Sequence, residues 1–171
     1  MQGLARCLCT HASGDGCAQG RDVSIWRVPQ KYYDMAREVM SEIDNELAPP
    51  PDDALECSWL GSVFLVPPFG RGVTAAHVMK LLAELNTRTA TAAVLITNNN
   101  TDTEHIQCAM HRSAAICFHL GRMKFKSSDG LPAYPTQGQI ILYFGAQRER
   151  FAQVFNRVGA VRYPRGEACP T

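Results

Sequence analysis

The residues best suited to chemistry follow a short apolar run at positions 63–66, near the middle of the chain. The run is rich in β-forming residues and predicts a buried strand. Pro67 and Pro68 end this strand, because proline lacks an amide hydrogen and fixes the backbone angle φ. Phe69 and a glycine follow, so the strand leads into a rigid Pro-Pro-aromatic corner. Open α/β sheets bind ligands at the carboxyl ends of their strands, and the sequence therefore predicts a site here.

Hydrophobic periodicity predicts the elements that must position this corner. Helical stripes of apolar residues predict helices at positions 32–43, 74–85 and 151–157, and a further helix that Thr101 or Asp102 caps. Apolar runs of strand length lie at positions 63–66, 92–96, 114–120 and 139–144. An alternating segment and a turn at positions 121–130 predict a hairpin. Strands that alternate with helices in this way predict an α/β fold.

The length of 171 residues predicts one folded domain. We expect it to cover positions 23–164, behind a flexible N-terminal arm at positions 1–22 and before a short tail at positions 165–171. The hydrophobic share of 46% is enough for a real core. Net charge is +1, which neither requires nor excludes nucleic acid, because a basic face is compatible with a balanced total.

Membrane and secreted classes are not favoured. No apolar run approaches the roughly 18 residues that span a bilayer, so we expect no membrane partner. The seven cysteines are odd in number and scattered, which favours an intracellular, reducing compartment, and the choice between nucleus, nucleoid and organelle stays open. Cys7, Cys9, His11 and Cys17 are four potential metal ligands, but their spacing is not that of a zinc knuckle. We therefore expect no metal, and an unstructured arm.

Five segments, in order along the chain, resemble motifs of the phage-type DNA adenine methyltransferase family. The corner Val66-Pro67-Pro68-Phe69-Gly70 resembles that family's Asp/Asn-Pro-Pro-aromatic corner, with valine in place of the acid or amide. The other four are a Trp-x-Val-Pro opening at 26–29, an Ile-Asp-Asn-Glu-Leu-Ala segment at 43–48, an Asn-Asn-Thr-Asp-Thr loop at 99–103 and a Gly-Arg-Met-Lys-Phe hairpin segment at 121–125. The resemblance implies a minimal Rossmann-like methyltransferase sheet with a C-terminal β-hairpin.

The activity that the resemblance implies is methyl transfer from S-adenosylmethionine to the 6-amino group of adenine in DNA. In such a corner the Asp or Asn oxygen and the first proline carbonyl accept the amine hydrogens, and the aromatic ring stacks on a flipped base. The catalytic positions implied here are Val66, Pro67, Pro68 and Phe69. Valine accepts no hydrogen bond, so we expect catalysis to be impaired at this corner.

The resemblance also implies a cofactor site for S-adenosylmethionine. The residues it assigns there are Trp26, Pro29, Asp44, Glu46 and Asn98. The alternative for Asp44 and Glu46 is that they are solvated loop residues. The alternative for Asn98 is that it is an ordinary polar residue of a loop.

DNA is the partner that the resemblance implies. Arg122, Lys124 and Lys126 alternate along one face of the predicted hairpin, and Arg71 follows the corner. Such a stripe suits phosphate contact, although a solvated strand face is the other explanation of three alternating basic residues.

Two functional hypotheses remain open. The first is a working adenine methyltransferase that tolerates Val66 because Asn98 or another polar group reaches the amine. The second is a catalytically inactive module that uses the same sheet and basic face to bind nucleic acid or a protein partner. The apolar replacements at Val28, Leu47 and Val66 favour the second, whereas the retained motif loops favour the first.

Overall fold

The computed structural model describes residues 27–70, 72–126, 131–133 and 135–164, and the structural statements below concern these ranges. The predicted N-terminal arm with its Cys and His residues, the predicted turn at 127–130 and the predicted tail at 165–171 lie outside them. So do two candidate site residues, Trp26 and Arg71.

The described chain contains a six-stranded mixed sheet. Its strands are β1 (Asn45–Leu47), β2 (Gly61–Leu65), β3 (Ala90–Asn98), β4 (Ala115–His119), β7 (Gln139–Phe144) and β8 (Gly159–Arg162). A separate two-stranded hairpin consists of β5 (Phe125–Lys126) and β6 (Pro132–Ala133). The order in the main sheet is β1-β2-β3-β7-β4-β8. β1, β2 and β3 are parallel, β7 is antiparallel to β3 and β4, and β8 is antiparallel to β4.

Four helices cover the two faces of the sheet: α1 (Gln30–Met40), α2 (Val73–Asn86), α3 (Glu104–Arg112) and α4 (Arg148–Phe155). One core cluster packs α1 and α4 against the sheet, and a second packs α2 and α3 against the opposite face. Along β2 the buried side chains alternate, with Phe64 in the first cluster and Val63 and Leu65 in the second. Burial on both faces explains why this strand is a continuous apolar run rather than an alternating one.

The α/β class predicted from the sequence is confirmed, and the predicted helices and long strands are present within a few residues. Three local predictions were wrong. Residues 45–47, interpreted as part of an acidic loop, form the edge strand β1, and β8 was not predicted. The N-cap of α3 is Thr103 rather than Thr101 or Asp102. In the segment at 121–125 only its last residue enters a strand, because the hairpin is confined to β5 and β6.

None of the helices in the described ranges has the length and apolar character needed to cross a bilayer. Within the same ranges, no group of three or more His, Cys, Asp or Glu side chains is arranged to hold a metal ion.

Candidate functional site

A cleft of about 440 Å³ opens at the carboxyl ends of β2 and β3. Its walls include Phe69 and Gly70 of the corner, the first turns of α2 and α3, and Thr97 and Asn98 at the end of β3. Gln137, just before β7, closes a further side. The structure therefore brings together the Pro-Pro-Phe corner and the polar loop, which the sequence indicated separately.

The corner is held by hydrogen bonds with Thr74 and by a ring contact. The hydroxyl of Thr74, in the first turn of α2, donates to the carbonyl of Pro68 at 2.8 Å. The ring of Phe69 meets the ring of Phe125 edge to face, with centroids 5.6 Å apart. Phe69 is half-buried and lines the cleft, while Pro67 is buried and Pro68 is half-buried. An aromatic surface fixed at a strand end in this way is suited to stack on a flat ligand.

Val66 belongs to the core rather than to the cleft. It is only 3% exposed, and its side chain packs in the cluster beneath α1 and α4. Its N–H donates to the carbonyl of Leu47 at 2.9 Å, so the backbone continues the pairing of β2 with β1. The position assigned to the amine acceptor is thus occupied by an apolar side chain buried in the sheet.

Asn98 is oriented by Gln139, a residue that the sequence reasoning did not single out. Gln139 is 2% exposed, and its Oε1 accepts a hydrogen bond from the N–H of Met123 at 2.9 Å. Its Nε2 donates to the carbonyl of Gln137 at 2.7 Å and lies 3.3 Å from Oδ1 of Asn98. The side-chain oxygen of Asn98 is therefore directed at Gln139.

The acids assigned to the cofactor lie elsewhere. Asp44 is beside the amino end of β2, where its Oδ2 accepts hydrogen bonds from the N–H and the hydroxyl of Ser62. Glu46 is exposed on β1, and its nearest cation is Arg37, at 3.7 Å. Pro29 is the half-buried N-cap of α1. Of the assigned cofactor residues that the structure describes, only Asn98 lines the cleft.

The basic side chains assigned to DNA are exposed. Arg122, Lys124 and Lys126 are exposed while Met123 and Phe125 are buried, so the predicted alternation is present in the burial pattern. One guanidinium nitrogen of Arg122 lies 3.4 Å from the carbonyl of Pro135.

Arg27 extends the basic stripe. Its backbone pairs with that of Lys126 in both directions, N–H to carbonyl, at 2.7 and 3.0 Å. Like charges at directly opposed positions of an antiparallel pair are unfavourable unless something compensates them. Among the described residues, neither side chain has an acidic partner within ion-pair distance.

Two histidines at this edge of the sheet have lowered pKa values. Partial burial lowers the pKa of His105, which lines the cleft from the first turn of α3. Burial likewise lowers the pKa of His119, at the end of β4. Nε2 of His119 lies 2.6 Å from the hydroxyl of Tyr32, whose pKa burial raises to about 12. The phenol therefore keeps its proton and donates to a neutral imidazole.

The sequence reasoning assigned no role to the cleft residues Thr97, Thr103, His105 and Gln137, nor to Gln139, which orients Asn98. The Pro-Thr-Gln-Gly-Gln run before β7 was a usable signal for Gln139, because a buried polar side chain at the start of a strand needs partners. Thr97 carried no signal, since it simply extends an apolar strand.

The cleft as a whole offers one aromatic face, a fixed amide and two helix N-termini. It is suited to bind a flat, polar ligand. A scan against protein-family models and searches of curated proteins and of solved structures found no match to this chain.

Proposed function

We propose that this protein is a divergent member of the phage-type DNA adenine methyltransferase family, and that it holds a base of DNA in the cleft against Phe69. The observation that carries the proposal is that Phe69 lines one cleft at the carboxyl edge of the sheet with Asn100 and Thr103, which belong to a separate motif of the resemblance, and with Asn98 beside them.

The sheet agrees with this assignment. Three parallel strands, β1 to β3, with helices on both faces of the sheet support a Rossmann-like assignment, and so does the position of the cleft at the edge where such sheets bind ligands. The proposed fold is accordingly a minimal Rossmann-like methyltransferase sheet with a small hairpin.

The contacts expected for DNA are of two kinds. A base stacked on an aromatic side chain gains about 1–3 kcal/mol, whatever its identity. Outside the cleft, the exposed cations Arg27, Lys124 and Lys126 face solvent on the hairpin, where they are suited to contact phosphates. The ligand would be an unpaired or flipped nucleotide, since a base within a duplex does not present its face.

The described cofactor residues do not fit S-adenosylmethionine. The carboxylate of Asp44 is engaged by Ser62 at the amino end of β2, and Glu46 is exposed on the edge strand β1, beside Arg37 of α1. Neither reaches the carboxyl edge where Phe69 lies. Val66 also lacks the hydrogen-bond acceptor of the family corner. Loss of one preorganised hydrogen-bonding group lowers the rate of the catalysed step by roughly two to three orders of magnitude. We therefore propose DNA binding, rather than methyl transfer, as the main function.

Methylation of the adenine amino group is the second candidate function. It is favoured by the retention of Pro67 and Phe69 in the corner that follows β2. Calorimetric titration with S-adenosylmethionine, followed by a radiolabelled methyl-transfer assay on adenine-rich DNA, separates the two candidates. If the protein binds S-adenosylmethionine and incorporates methyl groups into DNA, methylation rather than DNA binding alone is its function.

The binding function itself is tested by fluorescence anisotropy with an adenine-rich single strand. Replacing Phe69 by leucine keeps an apolar side chain but removes the aromatic face, and should weaken binding by about tenfold. Tyr163→Leu is the matched control, because Tyr163 is an exposed aromatic that follows β8 at the opposite edge of the sheet. Equal effects of the two substitutions would contradict the proposed base site. The proposal also implies that the protein works in an intracellular compartment that contains DNA. A module without catalytic activity would act together with a protein partner, which is part of the same proposal.

A further inference from the structure

Two helix N-termini meet at the cleft without side-chain caps. The N-caps of α2 and α3 are Gly72 and Thr103, and neither makes a side-chain capping hydrogen bond. The hydroxyl of Thr103 instead donates to the carbonyl of Asn100 at 2.8 Å. First-turn residues of both helices, among them Ala75 and His105, line the cleft. Unsatisfied N–H groups and the positive ends of two helix dipoles are therefore directed toward one space, an arrangement that favours an anion.

A buried hydroxyl at the floor of the cleft is a second, independent sign of a ligand. Thr97 lines the cleft and is only 1% exposed, yet its Oγ1 has no hydrogen-bond partner among the described residues. A buried polar atom without a partner is costly, and native structures rarely keep one without a functional reason. A polar group that enters the cleft would relieve this cost.

The polarity of Asn98 gives a third sign. Gln139 has one orientation only, because its oxygen must accept from Met123 and its amide nitrogen must donate to Gln137. The same nitrogen faces Asn98, so Asn98 must present its oxygen to Gln139 and keep Nδ2 for other partners. Asn98 is thereby fixed as a hydrogen-bond donor at the cleft. It does not serve as the substitute amine acceptor that one sequence hypothesis required.

We propose that the cleft contains a phosphate subsite, formed by the first turns of α2 and α3 with Nδ2 of Asn98, and that Gln139 is the residue that positions this donor. The subsite rests on the proposed function, in that the phosphate belongs to the nucleotide whose base lies against Phe69. A cleft of about 440 Å³ falls in the range that accommodates a ligand of nucleotide size.

The test uses the whole chain with three probes: adenosine, adenosine monophosphate and inorganic phosphate. The monophosphate should bind about tenfold or more tightly than adenosine, as expected for hydrogen bonds to a charged group, and inorganic phosphate should displace it. Equal affinities for adenosine and its monophosphate in the native protein would overturn the subsite.

Variants at neighbouring asparagines locate the effect. Asn98→Asp replaces the donor by a charged acceptor and should weaken monophosphate binding by about tenfold to a hundredfold, while adenosine binding changes by less than about twofold. Asn99→Asp adds the same charge one residue along, at an exposed position that does not line the cleft, and should change neither affinity by more than about twofold. Equal losses in the two variants would overturn the assignment of Asn98.

Two further measurements keep the test decisive. Asn98→Ala removes the donor without adding charge, and it takes the place of Asn98→Asp if circular dichroism shows that the latter fails to fold. The proposed base site is judged separately, by loss of adenosine binding in Phe69→Leu. The phosphate subsite is judged by the ratio of monophosphate to adenosine affinity, so either can fail while the other stands.

Discussion

Oδ2 of Asp44 accepts hydrogen bonds from the N–H and from the hydroxyl of Ser62, each at 2.8 Å, and the N–H of Asp44 donates to the carbonyl of Ser62 at 3.0 Å. The same hydroxyl lies 2.7 Å from the carbonyl of Glu42. These contacts attach the segment before β1 to the beginning of β2. They explain an acid at position 44 by the folding of the sheet, with no ligand required.

Removing the carboxylate of Asp44 should therefore destabilise the fold. Asp44→Ala leaves the N–H of Ser62, a residue only 7% exposed, without its acceptor, and we expect a loss of about 1–3 kcal/mol in the free energy of unfolding. Glu46→Ala is the matched control: it removes an acid two residues away whose ion pair is exposed, and it should change stability by less than about 1 kcal/mol. Urea denaturation of the two variants measures the difference, and similar losses would contradict the structural role of Asp44.

Placing at position 66 the asparagine of the family that the corner resembles should cost stability without conferring methyl transfer. Val66→Asn places an amide in the core beneath α1 and α4, where Val66 is 3% exposed, and burying it without partners costs about 1–3 kcal/mol. We expect a lower urea midpoint and no gain in methyl incorporation. A variant as stable as the native protein that also methylates DNA would show that the corner opens to the cleft.

Mild acid should weaken the fold through His119. Burial lowers the pKa of His119 in the folded protein below its usual value of 6.5, so the unfolded chain binds the proton more readily. The contribution to stability is complete above pH 6.5 and is lost as pH falls from there through the folded pKa. Urea midpoints between pH 7 and pH 5 should decline, and the decline should be smaller in His119→Gln. If the urea midpoint of His119→Gln declines as much as that of the native protein, His119 is not the cause of the acid sensitivity.

Salt should weaken DNA binding in proportion to the phosphate contacts of the hairpin. Lys124→Ala and Lys126→Ala should each lower the slope of log affinity against log salt by about 0.7 for a single strand. Arg148→Ala removes the same charge from an exposed residue at the start of α4 and should leave the slope unchanged. Anisotropy titrations at several salt concentrations give the slopes. Equal changes in all three variants would mean that only net charge matters.

The long helices and strands could be predicted from the sequence, because burial of one or both faces sets the spacing and the length of their apolar residues. β2 and β3 are covered on both faces and appear as continuous apolar runs. β1 was missed because a three-residue edge strand with an exposed acid at its centre has no hydrophobic pattern. β8 was missed for the related reason that only Val161 among its residues is buried.

Within the candidate site, the sequence identified Phe69 and the asparagine loop but not the relation between them. The orientation of the Asn98 side chain follows only from the partners of Gln139, of which Met123 and Asn98 itself are distant in sequence. The exclusion of Val66 from the cleft depends on which face of β2 its side chain occupies. Neither fact is contained in a local pattern of residues.

The most direct test of the base site is photo-crosslinking of the native protein to a single-stranded oligonucleotide that carries azidoadenine, with the adducts located by tandem mass spectrometry. A base stacked on Phe69 in the cleft should give adducts within residues 67–75 or 97–107, and Phe69→Leu should reduce them. Adducts confined to the hairpin, or equally strong in the native protein and in Phe69→Leu, would show that DNA is bound elsewhere and would contradict the proposed function.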